Sequence, residues 1–287
     1  MKSQMLNNIK IQKKEIFSKI LIGSILGIIA IIQLYPLVWL LLFSLKDNAE
    51  IFGENVMGLP RKFLWENYND AFSSGKVGLF FLNSVIVTGA SIIVSNILAC
   101  MAAYGIIRMK WKLSKATLTI FLMGLMIPLQ AALLPVFIIL TKTKLYDTLW
   151  ALIIPYTAFA LPMAIFLLSS YMQSIPRELE EAALIDGCNI YKIFYSIILP
   201  VVKPAIATIS ILTFLACWNE LMFAVTFIST EKYRTLTVGL RFMAGQYTTQ
   251  WGPIGAGLVI ASLPTLVIYI LLSSQVQKSI TTGALKG

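Results

Sequence analysis

Long apolar stretches separated by short polar segments dominate the chain. Six mainly apolar runs lie at about 20–45, 80–106, 116–141, 149–172, 204–228 and 254–276. Each run is long enough to cross a bilayer as a helix, which takes about 20 residues. The first run exceeds the apolar core of a signal peptide, roughly 7–15 residues, and no convincing cleavage site accompanies it. The pattern predicts an all-α integral membrane protein with six transmembrane helices.

The polar segments complete the predicted domain plan. This plan consists of a basic tail (1–19), a first transmembrane helix (20–45), a loop (46–79), a five-helix core (80–276) and a second tail (277–287). With the N-terminus in the cytoplasm, fourteen of the 23 Lys and Arg residues fall in inner segments and nine in outer ones. The positive-inside rule therefore predicts that both termini are cytoplasmic and that loop 46–79 is extracytoplasmic.

The segment 174–200 lies between the fourth and fifth runs and predicts a helix, a turn and a second helix. Pro176 suits a first helical turn, where its missing N–H costs nothing. Gly187 favours the left-handed conformation that ends a helix. Asn189 is a suitable cap for a second helix, which is expected to run to Leu199 before Pro200 interrupts it.

The first of these two helices has a distinctive surface. A narrow stripe is mostly small and apolar, and it consists of Leu179, Ala182, Ala183 and Asp186. Three carboxylates, those of Glu178, Glu180 and Glu181, favour the positive end of the helix dipole. Such a helix fits a cleft on a partner, so the acids are interpreted as a docking face and not as a metal site. An amphipathic connector on the membrane surface is the alternative interpretation.

Polar residues inside the apolar runs are candidates for a path through the membrane. Trp218-Asn219-Glu220 lies about sixteen residues into the fifth run, counting from Pro204, or roughly 24 Å along a helix. An ionisable residue at that depth marks a path or a paired partner, and simple helix–helix hydrogen bonding is the competing explanation. Asn83 and Gln130 are weaker candidates of the same kind. Prolines inside the runs also require neighbouring helices or a cavity to satisfy the freed carbonyls; they are Pro36, Pro128, Pro135, Pro155, Pro162 and Pro264.

Composition excludes several functions. The chain of 287 residues is 58% hydrophobic and 13% charged, which no soluble domain of this length accommodates. It has no histidine, no phosphate-binding G-x-x-x-x-G-K-[ST] loop and three scattered cysteines without a metal-binding spacing. We therefore predict no catalysis, no metal site and no cofactor in this chain.

The motifs, taken together, resemble a known family. Glu-Ala-Ala at 181–183, then Gly187 and Ile198-Leu199-Pro200, is similar to the signature of permease subunits in binding-protein-dependent ABC importers. Further motifs resemble the maltose-transporter-like sugar branch; they lie at 63–68, 83–84, 102–104 with Arg108, 174–179, 218–220 and 283–287. Cys188-Asn189 departs from the usual small residues after the motif glycine, and we expect no functional consequence.

The resemblance implies a permease for a carbohydrate, an oligosaccharide or sugar derivative, in a bacterial cytoplasmic (inner) membrane. Segment 174–200, hereafter the coupling segment, would dock on a separate ATPase. The implied coupling residues are Glu178, Glu181, Ala182, Ala183, Asp186, Gly187, Leu199 and Pro200. Arg241, Gln246 and Tyr247, in the outer loop 229–253, are candidates for contact with the binding protein.

The implied partners are a second homologous permease in a heterodimer, two ABC ATPase subunits that bind ATP and Mg²⁺, and an extracytoplasmic solute-binding protein. The lipid bilayer and the carbohydrate complete the list, and no nucleic acid is expected. The implied mechanism is alternating access driven by ATP. A stand-alone secondary transporter or channel is the alternative, although a lone Glu220 and no visible repeat argue against it. A membrane enzyme would lack both a nucleophile and a base.

Overall fold

The computed structural model describes residues 2–53, 55–109, 111–245 and 249–284, with side chains described from 18 to 271. Every regular element in these ranges is helical, as predicted. The helices are α1 (Lys2–Phe43), α2 (Asn48–Phe52), α3 (Glu66–Ser73), α4 (Val77–Ile107), α5 (Ser114–Met123), α6 (Leu129–Lys142), α7 (Trp150–Gln173), α8 (Glu178–Ile185), α9 (Ile190–Ile193), α10 (Leu199–Val201), α11 (Lys203–Trp218), α12 (Met222–Phe227), α13 (Leu236–Met243) and α14 (Trp251–Ala284). Short 3-10 turns lie at Gly124–Met126 and Glu231–Tyr233, and a π turn at Phe194–Ile198 joins α9 to α10.

Four of the six predicted membrane spans are single helices in the described residues. They are Ser18–Phe43 within α1, the whole of α4, the whole of α7, and Trp251–Leu271 within α14. Two bent helix pairs bring the total to six when each pair counts as one span. The prediction of six apolar crossings is thus confirmed by length and composition.

The third predicted span, 116–141, is not one continuous helix. It consists of Ser114–Met126 and Leu129–Lys142, which meet at an angle of 102°. Ile127, between them, is extended with φ −81° and ψ 111°, because the ring of the following Pro128 disfavours a helical conformation there. The other five prolines noted in the apolar runs lie inside helices.

The fifth predicted span, 204–228, is also wrong as a single helix. Helix α11 ends at Trp218, and α12 begins only at Met222. At its start, α11 makes an angle of 70° with the preceding helical stretch Ile190–Val201. The chain therefore changes direction at the start of α11, and the helix is interrupted after its end.

The first compact unit comprises Met1–Ala71 and Gln246–Val259. The beginning of the predicted loop 46–79 is folded tightly within it. Lys46 is 1% exposed, and its Nζ donates to the carbonyl of Asn55 at 2.6 Å. Asn67 Nδ2 donates to the carbonyls of Ser44 and Lys46, so this part is held by buried hydrogen bonds and is not a simple connector.

The second unit, Phe72–Gly245 with Ile260–Gly287, contains the two long helices α4 and α7 packed along each other. One face of α4 carries small side chains that are fully buried; they are Ser91, Ser95, Ala99 and Ala103. Small residues let helix backbones approach closely in a membrane. One apolar core lies at the Ile107 end of α4, and a second lies toward its other end.

Candidate functional site

The coupling segment has the predicted helix–turn–helix form. Helix α8 ends at Ile185, and Gly187 adopts φ 76°, the left-handed conformation that favours glycine. Asn189 then caps α9, since its side-chain oxygen accepts the backbone N–H of Lys192 at 2.9 Å. The second helix does not stop at Leu199 as predicted. It continues to Val201, and the π turn at 194–198 precedes Pro200.

One face of α8 packs inside the chain and the remainder is open. Ala183 is 6% exposed and belongs to the core formed with the ends of α4 and α7. The other members of the predicted stripe are exposed, and so are Glu178 and Glu181. Leu184 is 59% exposed and Ile185 87% exposed, so a large apolar surface adjoins the acids.

The second half of the coupling segment is attached more firmly. Ile193 and Ile198 are buried in the same core as Ala183. Leu199 is half-buried and Pro200 is exposed. The structure thus brings the predicted coupling residues into one continuous segment, in which Ala183 faces the chain.

The prediction that Glu180 belongs to the docking face together with Glu178 and Glu181 is wrong, because its side chain is paired inside the chain. Its carboxylate oxygen Oε2 accepts from Arg108 Nε at 2.8 Å and lies 2.6 Å from Nη2. These side chains are only 14% and 4% exposed, respectively. This pair was not predicted from the sequence. Two signals were present in the sequence: Arg108 directly follows an apolar run, and Glu180 is the third residue of a helix.

Glu220 caps a helix inside the second unit. Its two carboxylate oxygens accept the backbone N–H groups of Phe223 (2.8 Å) and Ala224 (3.1 Å), at the start of α12. Tyr156 of α7 also donates its hydroxyl to Glu220. A carboxylate stabilises the positive end of a helix, which explains why α12 begins directly after this residue.

A cavity of about 290 Å³ lies between α7 and α11 and includes this carboxylate. Its walls are mostly apolar and include the rings of Tyr156 and Phe159, with Thr213 and Glu220 as polar groups. That volume is near the lower end of small-ligand pockets, roughly 300–1,000 Å³.

The other candidate path residues occupy different environments. Trp218 is 5% exposed, stacks on Phe214 and donates Nε1–H to the carbonyl of Ala261 at 3.0 Å. Its side chain therefore does not line an open path in this structure. Asn219 and Gln130 are exposed, and Asn219 Nδ2 donates to the carbonyl of Leu215 within its own helix.

Asn83 holds the segment before α13 rather than lining a path. Its Nδ2 donates to the carbonyls of Lys232 (2.8 Å) and Arg234 (2.9 Å). The neighbouring Ser84 Oγ accepts the N–H of Leu236 at 2.8 Å and so caps the start of α13. These bonds fix the polypeptide that carries Arg241, which is exposed in α13. The remaining candidates, Gln246 and Tyr247, lie outside the described residues.

Asp147, which sequence reasoning missed, joins two connecting segments. Its carboxylate accepts the backbone N–H groups of Ser229 and Thr230 and the hydroxyl of Thr230. Burial alone would raise the pKa of Asp147, but hydrogen bonds from Thr230 and Ser229 outweigh it and lower the pKa. Nearby, the Lys76 ammonium holds the pKa of Glu231 below its usual value.

Metal-ligating side chains do not cluster in the part of the chain that the structure describes. No group of three or more Cys, Asp or Glu residues is placed to hold an ion there. What the described residues do present is an exposed helix surface on α8, a small cavity with one carboxylate, and a capped start of α13.

One structural comparison covers almost the whole fold of a solved transporter chain. This chain resembles a protein chain of a bacterial ABC transporter involved in the import of the acidic polysaccharide alginate, with a TM-score of 0.79 and 23% identity. The similarity covers 90% of this chain and 96% of the other. At that identity it supports the shared helical fold.

Sequence comparisons are more specific. The family described as the binding-protein-dependent transport system inner membrane component matches residues 95–281. The "Probable ABC transporter permease protein YurM" of Bacillus subtilis is 38% identical over 253 residues, 88% of this chain and 84% of that protein. The trehalose/maltose transport system permease protein MalG of Thermococcus litoralis is 32% identical over 281 residues, 96% and 99% of the two chains. The chain therefore belongs to the family of inner membrane components of binding-protein-dependent transport systems.

Proposed function

We propose that the chain is the permease subunit of an ABC importer for a carbohydrate, an oligosaccharide or sugar derivative. Family membership supports the permease assignment. The carbohydrate assignment rests on the trehalose/maltose relative and on the alginate transporter, which differ in substrate but share its chemical class. The chain forms half of the translocation path, and ATP with Mg²⁺ binds to a partner ATPase.

The observation that carries this proposal is the surface of α8. Its inner side is fixed by Ala183, while Leu184 and Ile185 present apolar surface beside Glu181 and Asp186. A contiguous apolar patch with a charged rim is typical of a protein interface. The coupling residues divide accordingly: Glu178, Glu181, Ala182 and Asp186 lie on the open side, Gly187 sets the turn, and Leu199 and Pro200 continue the second helix.

The cavity between α7 and α11 is the proposed contribution of this subunit to the path. Aromatic faces such as those of Tyr156 and Phe159 suit the apolar faces of sugar rings, and Glu220 supplies an acceptor for hydroxyl groups. Asn219 and Gln130 remain path candidates. Asn83 and Trp218 contribute indirectly, through the outer segment and the helix packing that they hold.

The proposed assembly adds a second homologous permease, two ATPase subunits and an extracytoplasmic solute-binding protein. Both termini and the coupling segment are cytoplasmic, whereas α13 with Arg241 faces the binding protein. Gln246 and Tyr247 remain candidates for contact with that protein. ATP-driven closure of the ATPases moves the coupling segments and switches the path from inward-facing to outward-facing. Sugar released by the binding protein then enters the path.

Reconstitution of the complete complex with the variant Glu181→Lys tests the coupling role. An exposed ion pair contributes only about 0–1 kcal/mol. If Glu181 docks in a cleft, the reversed charge is stranded there, which costs roughly 3–5 kcal/mol. We expect normal abundance in the membrane but loss of ATPase association, or of the stimulation of hydrolysis by loaded binding protein.

The matched control is Glu66→Lys, because Glu66 is also an exposed acid in the first turn of a helix. It should leave the stimulation of hydrolysis unchanged. An acidic substitution on the ATPase should partly rescue Glu181→Lys. Normal transport by an intact Glu181→Lys complex would make the segment a surface connector only.

Substrate class is tested by uptake into vesicles that contain the complex, ATP and the binding protein. Unlabelled oligosaccharides should compete with a labelled sugar, whereas amino acids and peptides should not. Uptake that follows an imposed ion gradient without the ATPase would support a secondary transporter instead.

A further inference from the structure

Arg108 links three separate parts of the second unit. Its Nε and Nη2 reach Oε2 of Glu180 on α8. Its Nη1 donates to the carbonyls of Met172 (3.2 Å) and Ile175 (3.1 Å), at the C-terminal end of α7. Arg108 itself directly follows α4, so one guanidinium group joins the ends of α4, α7 and α8.

The covalent route between α7 and α8 is short. Only residues 174–177 connect the two helices. Along the sequence, α4 lies far from α8, and no connecting peptide transmits a displacement between them.

A force on the exposed face of α8 therefore acts on two attachments besides this connector. One is the packing of Ala183, Ile193 and Ile198 in the core shared with α4 and α7. The other is the Arg108–Glu180 pair, which consists of directional hydrogen bonds and fixes the orientation of α8.

We propose that Arg108 is a positioning residue that makes the coupling segment move as one body with α4 and α7. This inference rests on the proposed function, because it assumes that a partner moves the segment. Arginine suits the task, since its planar fork presents several donors in fixed directions, which lysine does not. The carbonyls at the end of α7 also favour a cation through the helix dipole.

The side chains of the Arg108–Glu180 pair are largely buried, which restricts their geometry. The Arg108 side chain is 4% exposed and that of Glu180 14%. Tyr104, one turn before Arg108, is buried in the same core as Ala183 and Ile175. Because each partner would otherwise be a desolvated charge, the pair resists separation when the segment is displaced.

A set of four variants in the complete reconstituted complex separates positioning from simple stability. Arg108→Met should lower the ratio of binding-protein-stimulated to basal ATP hydrolysis by about tenfold or more, as expected for loss of a charge-assisted hydrogen bond. Arg108→Lys, which keeps the charge but not the fork, should give an intermediate ratio. The double variant Arg108→Met with Glu180→Leu removes both buried charges and should recover abundance. It should not recover the ratio.

The matched control is Lys142→Met. Lys142 is an exposed cation in the last turn of α6, outside the coupling segment, and makes no ion pair within the described residues. It should keep the wild-type ratio. A wild-type ratio in the double variant would overturn the proposal, because the pair would then serve stability alone. An equal loss in Lys142→Met would also overturn it, in favour of general surface charge.

Distance measurements test the proposal directly and apart from transport. Spin labels at Met109→Cys and Lys192→Cys, both exposed positions, report on the end of α4 and on α9 in a chain without native cysteines. We expect one narrow distance distribution that stays the same with and without nucleotide, and a broad one in Arg108→Met. A narrow distribution in Arg108→Met would overturn the inference. Normal transport by Glu181→Lys together with a broadened distribution in Arg108→Met would separate the two proposals. The docking of the coupling segment on an ATPase would then be wrong, whereas the positioning role of Arg108 would still hold.

Discussion

Gly187 is the residue whose backbone conformation separates the two helices of the coupling segment. Its φ of 76° is unfavourable for a side chain, while a Cβ at this position would have nothing within 4 Å. Gly187→Ala should therefore destabilise the turn by about 1–2 kcal/mol through backbone strain alone. Gly187→Asn should cost less, since asparagine tolerates this conformation.

The measurement for Gly187 is the stimulation of ATP hydrolysis by loaded binding protein, alongside membrane abundance. Both Gly187 variants should stay abundant, and stimulation should fall more for alanine than for asparagine. Gly89→Ala is the control, because Gly89 lies within α4 with equally open surroundings. Equal effects at the two glycines would contradict the strain argument.

Asp147 should give the two connecting segments that it joins a pH dependence of known sign. Its folded pKa lies below the ordinary value of 3.8, so its carboxylate stabilises the fold above pH 3.8. That stabilisation is lost as the pH falls through 3.8 toward the lowered folded value. Hydrogen exchange of the amides of Ser229 and Thr230 in lipid nanodiscs should accelerate over this range, relative to the intrinsic rate.

Asp147→Asn isolates the charge, because Asn also accepts φ 57°, the value at this position. The variant should exchange faster than the wild type at neutral pH and should lose the extra acceleration in acid. Persistence of the acid effect in Asp147→Asn would assign it to another group.

Single residues with a strong local preference were predictable from sequence, and residues whose role depends on distant partners were not. Gly187 and Asn189 act through their own backbone and nearest neighbours, so their roles in the turn followed from sequence. The Arg108–Glu180 and Asp147–Thr230 contacts join residues far apart in sequence. Nothing local specifies such pairs.

At the scale of elements, α13 depends on its close approach to α4. A Cβ at Gly239 would lie 2.0 Å from Cδ2 of Phe80, a side chain that is 3% exposed. Gly239→Ala should overpack this contact and cost about 1–3 kcal/mol. The denaturation midpoint of the solubilised chain measures this loss.

A smaller side chain at position 80 should relieve the clash. In a double-mutant cycle, Phe80→Leu should offset part of the Gly239→Ala loss, which a non-interacting pair would not do. Strictly additive losses would mean that α13 does not rest on Phe80. Because α13 carries Arg241, crosslinking to the binding protein should weaken in the single variant and recover in the double one.

Hydrophobic runs predicted where helices lie but not where they break. The bounds of α4 and α7 differ from the predicted runs by only a few residues, since an uninterrupted apolar sequence leaves a helix no alternative in lipid. Pro128 ends a helix, whereas Pro135, Pro155 and Pro162 do not. The side chain of Glu220 caps the start of α12. From the sequence, Glu220 is interpreted as a path residue, and this cap is therefore not predicted.

At the scale of the whole molecule, the orientation in the membrane decides whether the coupling segment can meet an ATPase. Single cysteines at Lys62 and Lys112 test it in right-side-out membrane vesicles, after replacement of Cys100, Cys188 and Cys217. Both lysines are exposed and lie in different interhelical segments. In loop 46–79, Lys62 is a better label site than Gly53, because a Cβ at Gly53 would lie 2.4 Å from the carbonyl oxygen of Ala49.

An impermeant thiol reagent should label Lys62→Cys and leave Lys112→Cys unmodified until the vesicles are opened. Arg241→Cys, an exposed position in α13, should be labelled like Lys62→Cys. We expect this labelling pattern because the segments assigned to the cytoplasm contain more lysine and arginine, and segments rich in these residues resist translocation. The reverse pattern would place the coupling segment outside the cell, away from any ATP-hydrolysing partner. In that case the exposed surface of α8 would have to bind an extracytoplasmic protein instead.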